Sequence, residues 1–111
     1  MPKSDEVRLR HMLDAAEQAI AFARSRSRSD LDSDQMLVFA LVKAVEIVGE
    51  AANQVAKETR DTYPNIPWPE IIGMRHRLIH AYFDINLDIL WQTVQSDLPA
   101  LAKELGKALG K

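Results

Sequence analysis

Residues 33–58 read SDQMLVFALVKAVEIVGEAANQVAKE, and the spacing of their apolar side chains decides the fold class. Leu37, Leu41, Ala44, Val48, Ala51 and Val55 recur at alternating steps of four and three, and Val38, Val45 and Ala52 broaden the stripe. That is the period of a helix with one buried face, not of a strand. The spacing predicts a helix opening near Ser33 or Asp34 and running to about Glu58. Gly49 lies in its interior, where glycine costs about 1 kcal/mol relative to alanine. With Ala40, Ala44, Ala51 and Ala52 around it, this glycine implies that another backbone or a partner comes close.

Toward the N-terminus, Leu9, Leu13, Ala16, Ile20 and Ala23 form a second stripe of the same period. Ser4 is its expected N-cap, with Asp5 and Glu6 against the positive end of the helix dipole. The stripe ends in RSRSRSD, residues 24–30, a polar stretch without periodicity that reads as a loop. Toward the C-terminus, TYPNIPWP, residues 62–69, places prolines at 64, 67 and 69 and breaks any helix. A third helix is expected from about Trp68 to Tyr82–Phe83, with Ile71, Ile72, Leu78 and Ile79 inward. Asn86 can cap a fourth, whose stripe is Leu87, Leu90, Val94, Leu98, Leu101 and Leu105. Pro99 falls inside that stripe and predicts a kink or a restart. No segment alternates with a period of two. The expected fold is all-α: one domain over residues 1–111, an antiparallel four-helix bundle with a kinked or split last helix.

An apolar fraction of 47% with 27% charged residues is ordinary for a soluble globular chain. The absence of cysteine removes disulfides and thiolate metal sites. No apolar run approaches the roughly 20 residues of a membrane span. The N-terminus lacks the layout of a signal peptide, so the expected location is cytoplasmic and no membrane partner is expected. A net charge of −2 gives no reason to expect DNA as a partner. Contact with RNA would need a local patch, and two basic clusters exist: Arg24, Arg26 and Arg28, then Arg75, His76 and Arg77.

The second cluster carries chemistry, because His80 follows it. Cutting RNA without a metal requires a base to take the proton of the 2′-hydroxyl and an acid to protonate the leaving 5′-oxygen. Histidine serves in either role near neutrality. It also requires a cationic donor for the charge that builds on phosphorus, which an arginine fork supplies. Five helical steps separate Arg75 from His80, a rotation of about 140°, so the two do not share a helix face. They converge if the helix unwinds near His80, or if two copies meet across a two-fold axis. Glu46 and Glu50 lie four apart on an otherwise apolar helix, and either could pair with Arg75 and aim it, Glu50 being the preferred partner.

MRHRLIHAYFD, residues 74–84, resembles the signature segment of the HEPN superfamily and, within it, of the HepT-like toxins, which carry Arg, four residues, His, one residue, Tyr. The likeness extends to IVGEA at 47–51 and LDILW at 87–91, and covers the chain from the first helix to Leu101. The resemblance implies a dimeric, metal-independent endoribonuclease toxin with Arg75 and His80 as its catalytic pair and His76, Arg77 and Glu50 in support. No cofactor is implied. It further implies a minimal nucleotidyltransferase as cognate antitoxin, attaching AMP to Tyr82. One departure is His76, where that family usually has asparagine.

Other readings of the same residues remain open. The chain could be a non-catalytic helical partner of a nucleotidyltransferase. His80 could be a helix-terminal histidine favoured by the dipole, and Tyr82 an amphipathic residue at a helix end. His76, His80 and Asp84 fall at i, i+4 and i+8, a spacing that suits zinc on a continuous helix. Against that reading, Arg75 and Arg77 are unfavourable neighbours for a divalent cation.

Overall fold

The computed structural model describes residues 1–81 and 84–111; for His80 and Ala81 the description covers the backbone alone. Helix α1 spans Lys3–Ala23 and α2 spans Gln35–Asn53. Short helices follow: α3 (Lys57–Thr62), α4 (Trp68–Ile72) and α5 (Met74–Leu78). Strands β1 (Ile79–Ala81) and β2 (Asp84–Ile85) pair antiparallel. The chain ends in α6 (Leu87–Gln92), a π-helical stretch at Thr93–Asp97, and α7 (Leu98–Ala108). The architecture is an all-α bundle in which α1 packs on α2 and α7, and α2 packs on α4 and α5. The predicted stripes supply the core: Leu9, Ala16, Leu41, Val48, Leu90, Leu98 and Leu105 are fully buried.

Several boundaries differ from expectation, each for a visible reason. Helix α1 begins one residue before Ser4, because the Pro2 carbonyl accepts from the Asp5 and Glu6 amides at 3.1 Å and takes the capping role. Asp5 turns inward instead. It is only 2% exposed and accepts from the Thr59 hydroxyl at 2.7 Å and the Ala56 amide at 3.3 Å. Asp5 thus satisfies the start of α3, where α2 was expected to continue to Glu58. The break at residues 54–56 leaves Val55 buried in the core.

The third helix divides at Gly73 and stops at Leu78, short of the expected end at Tyr82–Phe83. Ile79 is extended (φ −119°, ψ 110°), and the Leu78 carbonyl accepts from the Asn86 amide at 2.7 Å. That bond, with the Ile79–Ile85 pairing, closes a hairpin where no strand was expected. The caps at Asp34 and Asn86 are present, accepting from the Leu37 and Ile89 amides at 3.0 Å each. The π-helical turn ends two residues before Pro99, which stands in the first turn of α7 where its missing N–H is tolerated, so the last helix is split as expected.

Gly49 meets its predicted neighbour. A Cβ there would sit 3.4 Å from the Ile71 carbonyl oxygen and 3.6 Å from that of Ile72, so the backbone of α4 lies directly on α2. That close approach fixes the level along α2 at which α5 begins.

Candidate functional site

Helix α5 presents Met74 and Leu78 to the core and leaves Arg75, His76 and Arg77 exposed. Three consecutive residues span about 200° of a helix, so the outer two diverge. Arg75 reaches α2, its Nε donating to Glu46 Oε2 at 3.4 Å. Arg77 turns the other way, 3.6 Å from Asp97 on the π-helical turn. It borders a cleft of about 350 Å³ that also includes Glu70, Ile71, Leu101 and Glu104. His76 stands between them, and among the described residues its side chain makes no hydrogen bond or ion pair.

The carboxylate that meets Arg75 is therefore Glu46 rather than Glu50. Arg75 is half exposed and Glu46 about a quarter (50% and 27%), so the pair is accessible to a ligand from solution. Glu50 is exposed one turn further on, in a shallow groove with Arg8, His11 and Gln54. No feature of the sequence separates these two glutamates; the packing of α5 on α2 does.

His80 lies in β1, two residues beyond the end of α5, so the helix unwinds ahead of it. Its side chain, and all of Tyr82, lie outside the described residues. The continuous helix that the His76, His80 and Asp84 spacing requires for a metal stops at Leu78. Among the described residues, no group of three or more histidine or acidic side chains could hold a metal. No helix of the described residues is long and apolar enough to cross a membrane.

The other basic cluster is built differently. Arg26 pairs with Asp30 and Asp34, and Arg28 with Asp32 at 3.1 Å and Asp88 at 2.6 Å. Ser27 and Asp30 cap a 3-10 turn at Arg28–Asp32, so part of the expected loop is ordered by its own charges. These contacts hold the Asp30 and Asp34 carboxyls below the usual carboxylate range, through the Ser27 amide for Asp30 and the Arg26 guanidinium for Asp34.

The profile of the family described as "Ribonuclease HepT-like" matches residues 12–108, and the chain belongs to that family. It is 39% identical over 103 residues to "Putative RNase TTE0752" of Caldanaerobacter subterraneus subsp. tengcongensis, covering 93% of this chain and 92% of the relative. It is 36% identical over 107 residues to "Probable ribonuclease HepT" of Thermococcus cleftensis, covering 96% and 97%. It is also 35% identical over 94 residues to "Putative RNase MJ1380" of Methanocaldococcus jannaschii, covering 85% and 86%. No solved structure matches the chain at a comparable level of significance.

Proposed function

We propose that the protein is a metal-independent endoribonuclease toxin that works as a homodimer, with Arg75 and His80 as its catalytic residues. The observation that carries this reading is the placement of Arg75. It is half exposed and held only through Nε among the described residues, on a five-residue helix that stops two residues before His80. The RNA 2′-oxygen attacks the adjacent phosphorus as its proton passes to one histidine. The phosphorus–5′-oxygen bond then breaks, and a second histidine protonates the departing oxygen. The products are a 2′,3′-cyclic phosphate and a 5′-hydroxyl. The guanidinium neutralises the charge on the equatorial oxygens.

A second copy supplies the second histidine. Met36, Phe39, Lys43 and Glu46 fall within about 80° of arc on α2. Met36 and Phe39 are 84% and 56% exposed. Phe39 shares a shallow groove with Ile85 of β2 and with Leu87, so this apolar face adjoins both the hairpin that carries His80 and the Glu46–Arg75 pair. A copy seated there covers the apolar residues and brings the two hairpins together.

His76, Arg77 and Glu50 are the supporting residues that the family resemblance implies, although Arg77 faces Asp97 and Glu50 lies in the groove with Arg8 and His11. A minimal nucleotidyltransferase is the expected antitoxin, and Tyr82 the residue to which it attaches AMP. Cleavage of RNA by wild type and by His80→Ala, with and without EDTA, tests the activity. Cleavage that survives EDTA and is lost in His80→Ala supports the reading. A wild type that cuts no RNA and is harmless when expressed alone contradicts it, and leaves the binding-partner reading. Co-expression with the nucleotidyltransferase should add whole AMP units to wild type and none to Tyr82→Phe, read by intact mass.

A further inference from the structure

Arg75 sits on a five-residue helix at the surface, where a long side chain samples many rotamers unless something holds it. What holds it is on α2. Glu46 lies between buried Val45 and Val48 on the longest element packed against α5, so its backbone is fixed by the core. The α4 backbone comes close to α2 beside Gly49, one turn further on, and α4 joins α5 through Gly73, two residues before Arg75. The level of Arg75 opposite Glu46 is thus set by backbone packing.

We propose that Glu46 is a positioning residue for Arg75: its carboxylate fixes the guanidinium through Nε and leaves the terminal nitrogens free for the RNA phosphate. An arginine has five N–H donors, one on Nε and four on the terminal nitrogens. Only Nε is engaged among the described residues, at 3.4 Å. A side-on carboxylate costs the fork none of its phosphate-facing donors and removes rotational freedom before substrate arrives. The inference rests on the ribonuclease reading for its consequence, though the contact itself does not.

A kinetic double-mutant cycle on the full chain tests it. Glu46→Ala is expected to lower kcat about tenfold with KM and the melting temperature unchanged. In an Arg75→Ala background the same substitution should have no further effect, because Glu46 acts only through that arginine. Glu46→Gln, whose amide oxygen still accepts from Nε, should recover part of the rate. Equal losses in both backgrounds, or a loss explained by lower thermal stability, overturn the proposal. If the wild type cuts no RNA, the ribonuclease reading fails separately and the contact is tested by NMR. The Arg75 Nε–H resonance, assigned by its loss in Arg75→Ala, should be protected from exchange in wild type and become exchangeable in Glu46→Ala. A wild-type resonance that already exchanges like free arginine overturns the positioning role.

Discussion

Two basic clusters of similar composition have opposite fates. In the segment from Arg24 to Asp34, Arg26 and Arg28 are each bound to two aspartates, three of those four within eight residues in sequence. In α5, Arg75 and Arg77 each have a single partner from a distant element, and His76 has none among the described residues. In the first cluster, Arg26 and Arg28 tie their charge to a 3-10 turn and to α6. The second keeps most of its donors available. A run of arginines therefore says little about ligand binding until the carboxylates around it are counted. Asp5 marks the other extreme, a buried charge wholly consumed by the scaffold.

The largest expected effect separates the clusters by activity. Arg75→Ala should lower the initial rate of RNA cleavage about a hundredfold or more, the scale on which loss of a transition-state donor is felt. The triple variant Arg24→Ala, Arg26→Ala and Arg28→Ala should leave that rate nearly unchanged. Comparable losses from the two would erase the distinction.

Next comes the buried carboxylate. Thr59→Val should cost about 2 kcal/mol in urea unfolding, since a charged buried acceptor loses its best donor. The Thr59 hydroxyl, helped by the Ala56 amide and Arg8, holds the Asp5 carboxyl below its ordinary value of 3.8. The depressed folded-state value means that the stability it contributes is fully present above the unfolded carboxylate range and is lost as pH falls through the folded value. Asp5→Asn should therefore flatten part of the acid limb of the stability curve below about pH 4 while leaving the curve near neutrality parallel to that of wild type.

The smallest effect belongs to the paired arginines. Arg26→Ala with Arg28→Ala should lower the melting temperature slightly at low salt, and the difference should shrink at high salt because these pairs lie at the surface. A loss that persists in 1 M salt would mean that the turn is held by something other than charge.

Much of this was legible in the sequence, for reasons that also mark where legibility ends. The stripes of α1, α2 and the last helix emerge because burial imposes a period on them over many turns. The end of α2 did not show, because Val55 keeps its place in the core after the helix has stopped. The hairpin did not show either, since a period of two cannot declare itself over three residues. At the site, Arg75, His76 and Arg77 were identifiable by type and spacing. The partner of Arg75 was not, because Glu46 and Glu50 lie within about 40° on one face. The packing of α4 and α5 on α2 chooses between them. Asp97, the partner of Arg77, carried no local signal at all.

If Arg75 and His80 cut RNA through its own 2′-hydroxyl, the chemistry of the termini formed in the presence of EDTA reports it. Wild type should produce 2′,3′-cyclic phosphate and 5′-hydroxyl ends, and His80→Ala should produce neither. Ends bearing a 3′-hydroxyl and a 5′-phosphate, or cleavage that stops in EDTA, would contradict it.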